Sequence, residues 1–206
     1  MAIKGLFIDC PTGLAGDMIL AGLLDLGVPL EIIESSLKLI GLDNSYKISI
    51  EESSSFGFRG LRIDVDSTEI ESTRRCWGDI KKQIILANIS KSLKDRIYRV
   101  FQALAEAESL VHGQSIEKVH FHEIGAIDSL VDIVGVCAAI EHINPDEIIC
   151  AVPSVGRGMV NTSHGTLPVP VPAVLELAKK HKLELIFGDD CPEGELTTPT
   201  GLALMA

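Results

Sequence analysis

Aromatic residues make up only 4% of this 206-residue chain, so any core must be aliphatic, built from Ile, Leu, Val and Ala. Basic residues are the next shortage. Eighteen Lys and Arg stand against 29 Asp and Glu, a formal charge of −11, which argues against a nucleic-acid phosphate surface and is compatible with handling cations. No apolar run is long enough to span a bilayer, and the opening "MAIKGLFIDCPTG" reads as neither a signal peptide nor a membrane anchor. The five cysteines (Cys10, Cys76, Cys137, Cys150, Cys191) form no CxxC pair; an odd, dispersed set reads as reduced thiols in a cytoplasmic protein. GxGxxG and GKS/GKT are missing too, which removes the Rossmann and Walker fingerprints. What the chain does have is 46% hydrophobic residues, enough to bury a sizeable core within one main domain.

Periodicity places the elements. Ile3 to Asp9 reads as a buried strand, "CPTGLAG" as a loop, Asp17 to Leu26 as a helix closed by Gly27, and Pro29 to Ile40 as a second helix closed by Gly41. Two β segments follow, Tyr46 to Glu52 and Gly60 to Asp66, with a polar Ser/Gly turn region between them. Residues Ser67 to Arg75 are polar and expected at the surface. Helices are predicted over Asp79 to Asn88 and Lys91 to Val111, the second with Leu93, Ile97, Val100, Phe101, Leu104 and Ala105 on one stripe. A short extended piece leads to a helix from about Ala126 to His142. The order ends with a strand Ile148 to Val152, a Gly-containing loop or hairpin from Gly156 to Leu167, a helix Pro172 to Lys180 and a strand Leu183 to Phe187. This predicts an α/β fold, a mixed sheet flanked by helices. In the final "TTPTGLALMA", Pro199 and Gly201 suit a loop entering a helix, and the chain reads as a fragment or shortened product of something longer.

Four stretches carry the polar chemistry. In "VHFHEIGAIDSLVDIVG", residues 119 to 135, two histidines and three carboxylates sit among core residues, and charges are costly to bury unpaired. An extended Val119 to Glu123 puts His120 and His122 on one side; Asp128 and Asp132, four apart, share a helix face. Imidazole with carboxylate, Glu123 included, suits Ni, Zn, Mn or Fe rather than Ca. The plainer reading is that both aspartates face solvent or pair with a base, with Asp128 favoured near a helix start by the dipole. In "FIDCPTGLAGDM", Asp9 ends a strand, Asp17 opens a helix, and Thr12, Gly13 and Gly16 lie between, a loop whose N–H groups could hold an anion. "VPSVGRGMVNTSHGTLPVPVP" carries His164 and Gly165, and "GELTTPTG" carries Glu195, Thr198 and Thr200; each alone reads first as a plain loop. Strand ends with polar loops converge at one sheet edge, so Ile3 to Asp9 is expected near the centre of the sheet, with Asp9, Gly13, Gly16 and Asp17 lining one cleft with the histidines.

Together, "DCPTGLAGDM", "HFHEIGAIDSLVDIVG", "HGTLPVPVPA" and "GELTTPTG" resemble the LarC family of nickel-insertion proteins, in family order and along the whole chain. The resemblance implies insertion of Ni²⁺, as substrate metal, into pyridinium-3,5-bisthiocarboxylic acid mononucleotide, with CTP and Mn²⁺ or Mg²⁺, to give the nickel-pincer nucleotide of lactate racemase. On that reading Asp9, Asp17 and Asp128 are catalytic. Thr12, Gly13, Gly16, His164, Gly165, Glu195, Thr198 and Thr200 bind substrate, and His120, His122, Glu123 and Asp132 hold metal. The implied partners are a C-terminal half carrying the CTP site, lactate racemase apoprotein as recipient, and further copies of the chain. Where family members often carry a histidine-rich stretch, this chain reads "STEIESTRRCW". Two rival readings stand beside this one: a metal-dependent hydrolase using His120, His122, Asp128 and Asp9, and a nickel-carrying scaffold half without turnover.

Overall fold

The structure, a computed structural model, describes residues 3–68, 75–119, 121 and 127–206. Its centre is a helix, α5 (Ile127–Ile143), whose buried residues run almost without interruption from Leu130 to Ile140. A helix that is apolar all round belongs in a core, and α5 is packed by α1 (Gly16–Asp25), α2 (Leu30–Ile40), α4 (Lys91–His112), α7 (Pro199–Met205) and strand β3 (Phe58–Ser67). Gly135 makes one of the close crossings. A Cβ there would stand 3.0 Å from Leu20 Cδ1 and 3.2 Å from Ile33 Cγ2, so its lack of a side chain lets α1 and α2 approach α5.

α4 buries the stripe expected of it: Leu93, Ile97, Val100, Phe101, Leu104 and Ala105 are all buried. Ser90 caps it by accepting the Leu93 N–H at 3.0 Å, and Gly113 ends it in the left-handed conformation. α3 (Trp77–Leu86) lies alongside, with Trp77 against Tyr98 at 5.4 Å between rings. The core is mostly aliphatic, with Trp77, Phe101 and Phe121 as its buried aromatic residues.

The α/β expectation holds, with parallel and antiparallel pairing both present. Among the described residues the strands form four two-stranded ladders. β1 (Gly5–Ile8) pairs in parallel with β4 (Glu147–Cys150); β2 (Tyr46–Ser55) and β3 form an antiparallel hairpin; β5 (Gly156–Arg157) pairs with β8 (Gly194–Glu195), and β6 (Met159–Thr162) with β7 (Gly165–Pro168). α6 (Pro172–His181) follows β7.

Three expectations are corrected here. β1 is not a central strand, since β4 is its single strand partner among the described residues. The polar turn region between β2 and β3 is shorter than expected: the ladder runs to Ser55↔Phe58, and Phe56 and Gly57, both at positive φ, make the whole turn. Two left-handed residues match the twist of a tight hairpin, so the serines stay in the ladder. Leu183 to Phe187 forms only a bridge, Ile186 to Ser154. All five cysteines are free thiols. Cys10 and Cys150 approach to 3.7 Å between sulfurs, and burial pushes the Cys150 thiol up to about 12. Among the described residues no helix is long and apolar enough to cross a membrane.

Candidate functional site

Two loops distant in sequence build the floor of the site. The segment before α1 and the segment before α7 interlock by backbone: Leu14 N donates to Leu196 O at 2.9 Å, and Thr198 N donates to Leu14 O at 3.0 Å. This contact requires glycine on both sides. A Cβ on Gly13 would fall 2.1 Å from Leu196 O, and one on Gly201 2.1 Å from Leu14 O. Thr198 then caps α7 by accepting the Gly201 N–H at 3.1 Å.

Above this floor lies a cavity of about 700 Å³. The first turns of α1, α5, α6 and α7 all contribute to its wall, through Gly16 and Asp17, Asp128 and Ser129, Pro172 and Ala173, and Pro199 and Thr200. Those N-terminal turns set positive dipole ends around one space. The side chains set against them are acidic: Asp17, Asp64, Glu108, Asp128, Asp132 and Glu195, with the imidazoles of His112 and His164. No Lys or Arg lines the cavity among the described residues.

Asp132 is the most constrained of these groups. It is 9% exposed, and its Oδ1 is buried without a hydrogen-bond partner among the described residues. Gly16 explains how it fits, because a Cβ at that position would lie 2.8 Å from both Cβ and Oδ2 of Asp132. Burial first, then the negative charges of Asp17 and Asp128, push the Asp132 carboxyl up to about 8. The expectation that Asp132 faces solvent or pairs with a base is thereby corrected. Asp128 is exposed, and its Oδ1 accepts the Ser129 N–H at 2.7 Å.

On another wall, α4 ends at His112, whose Nε2 lies 3.2 Å from Glu108 Oε2, an ion pair when the imidazole is protonated. The His112 ring meets that of His164, 4.8 Å between centroids. His164 stands in the two-residue turn of the β6–β7 hairpin, where its N–H donates to Thr162 Oγ1 at 3.1 Å.

Of the residues singled out in the sequence, the cavity brings together Gly16, Asp17, Asp128, Asp132, His164, Glu195, Thr198 and Thr200. Asp9, Thr12, Gly13 and Gly165 are not part of its wall. Asp9 and Thr12 are exposed, and Gly13 is spent on the Leu196 contact, so the expectation of one cleft shared by Asp9, Gly13 and Asp17 is corrected. His120, His122 and Glu123 lie outside the described residues, and among the described residues no group of three metal-donor side chains is assembled. Of the hydrolase set, Asp128 lies in the cavity wall and Asp9 does not, while His120 and His122 lie outside the described residues.

Sequence reasoning missed Asp64, Glu108, His112 and Ser129. Glu108 and His112 are spaced i, i+4 on α4, the one signal that could have paired them.

The nickel insertion protein family matches the chain over residues 6–206. The chain is 42% identical, over 99% of its own length and 51% of the relative's, to a protein of Geobacter metallireducens designated for nickel insertion. It is 39% identical, over 99% of itself and 53% of the relative, to the pyridinium-3,5-bisthiocarboxylic acid mononucleotide nickel insertion protein of Clostridium kluyveri. A Synechococcus protein designated for nickel insertion is 39% identical over 98% of this chain and 50% of its own. The chain therefore spans about half the length of these relatives. No solved structure matches it. With the motifs in place along the whole chain and the family matched from residue 6 to its last residue, the protein belongs to the nickel insertion protein family.

Proposed function

We propose that this chain binds nickel and a pyridinium bisthiocarboxylate mononucleotide in the cavity and takes part in joining them. The observation that carries the reading is the composition of the wall: six carboxylates and two imidazoles, with no Lys or Arg among the described residues. Such a wall attracts a divalent cation and a cationic pyridinium ring. The anionic parts of the nucleotide, its phosphate and thiocarboxylates, meet a different chemistry, the positive dipole ends at the starts of α1, α5 and α6. Oxygen and nitrogen donors hold nickel less tightly than sulfur, so a carboxylate site can release the metal to the thiocarboxylates.

In this scheme Asp132 binds the cation, completed by His120, His122 and Glu123, while Asp17 and Asp128 supply further negative charge beside it. Gly16, His164, Glu195, Thr198 and Thr200 position the nucleotide. Asp9, Thr12, Gly13 and Gly165 act at a distance through the backbone of the floor and of the β6–β7 hairpin. The cavity does not fit a nucleoside triphosphate, since no cationic side chain among the described residues is available to three phosphates and no Gly-Lys phosphate loop exists. CTP with Mn²⁺ or Mg²⁺ is thus assigned to the polypeptide that the longer relatives carry beyond the matched half. Delivery to lactate racemase and self-association follow from the family resemblance, and a cytoplasmic setting from the dispersed free cysteines.

Calorimetry of the metal-free chain with Ni²⁺, and separately with the bisthiocarboxylate nucleotide, tests the reading. Asp132→Asn should weaken Ni²⁺ at least about tenfold, or 1.4 kcal/mol. Unchanged binding of both ligands in a folded variant would refute it.

A further inference from the structure

The β1–β4 sheet is an anomaly by its own geometry. Parallel sheets are ordinarily covered on both faces, because the crossovers that connect their strands lie there. This one has two strands of four residues each. Its inward side chains, Leu6, Ile8 and Cys150, pack on the core. Its outward side is uncovered. Phe7 and Ile149 stand directly opposite in the register, hence on the same face, and they are 62% and 51% exposed. The bonds from Ala151 N to Ile8 O and from Asp146 N to Lys4 O place the even-numbered residues of β1 toward β4. The backbone groups of Gly5 and Phe7 therefore point to an open edge. An apolar face beside an open edge is a template for further polypeptide.

We infer that this face and edge are an intramolecular interface, covered in the longer family members by the polypeptide beyond the matched half. Two observations select that occupant. The chain accounts for only 51% and 53% of the Geobacter and Clostridium relatives, so as much polypeptide again is available. Parallel strands are joined by crossovers, so whatever extends or covers a parallel sheet comes most directly from the same chain. The occupant's surface is apolar opposite Phe7 and Ile149. It carries a basic group toward Glu147, which is exposed opposite Gly5 at the end of the same face. The inference is independent of what the cavity binds.

Hydrogen exchange and photo-crosslinking test it. In the 206-residue chain the Gly5 and Phe7 amides should exchange fast at every protein concentration. At the aligned positions of the intact Geobacter metallireducens relative they should be slowed about a hundredfold or more. A benzoylphenylalanine placed at the aligned position of Phe7 in that intact protein should crosslink within the same molecule to its unmatched half. Equally fast exchange in both proteins would overturn the inference. So would crosslinks confined to a second copy, or protection that rises with the concentration of the 206-residue chain, since both assign the face to self-association.

Discussion

Asp132 concentrates the conflict between folding and function in one side chain. Its carboxyl is raised to about 8 where an unfolded chain would hold it near the ordinary carboxylate value. Between those two values the folded state binds the proton and the unfolded state does not. By linkage, stability is therefore fully present below the unfolded value and is lost as pH rises through the folded one. The metal-free chain should be less stable at pH 8 than at pH 5, and the slope should be reduced in Asp132→Asn, which keeps the shape and removes the charge. Urea denaturation at several pH values measures this; an identical slope in both proteins would contradict the placement of Asp132. Gly16 is tied to the same carboxylate. Gly16→Ala should cost about 1–3 kcal/mol by overpacking against Asp132. Gly22→Ala on the same helix, where a Cβ meets nothing within 4 Å, should gain about 0.5–1 kcal/mol from helix propensity.

At the scale of elements, the sequence was readable where one pattern dominated. The α4 stripe, the Gly41 helix end and the start of α6 at Pro172 follow from side-chain spacing and capping chemistry. The hairpin turn was read too long because Phe56 adopts a positive φ that its side chain does not advertise. The position of β1 was misjudged because an apolar run of strand length says nothing about how many neighbours the strand finds. The site was legible where motifs open helices: Asp17, Asp128 and Thr198 sit at such starts. His112 escaped notice because a histidine in the last turn of a helix needs no further explanation, and Asp64 because it alternates with apolar neighbours on β3 like any exposed strand residue. One element-level prediction uses a cap. Ser90→Ala should cost about 1 kcal/mol, through loss of the bond to Leu93 N, read as a lower urea midpoint with an unchanged slope.

Over the whole molecule, the charge of −11 and the acidic cavity act in the same direction. Ni²⁺ capture should slow as ionic strength rises from low salt to about 0.15 M, where screening sets in within about 8 Å. Stopped-flow association rates check this, and a salt-independent rate would mean that the acidic wall plays no part in attracting the metal. The reciprocal contact between Leu14 and residues 196–198 has a consequence for the order of events in time. It joins positions more than 180 residues apart, and the cavity has no floor until it forms. Contacts of such separation pay a large loop-closure cost and come late in folding. On a ribosome that releases the chain from its N-terminus, α1, α2 and the β2–β3 hairpin can assemble first, while ligand-binding competence waits for residues 196–198 to emerge.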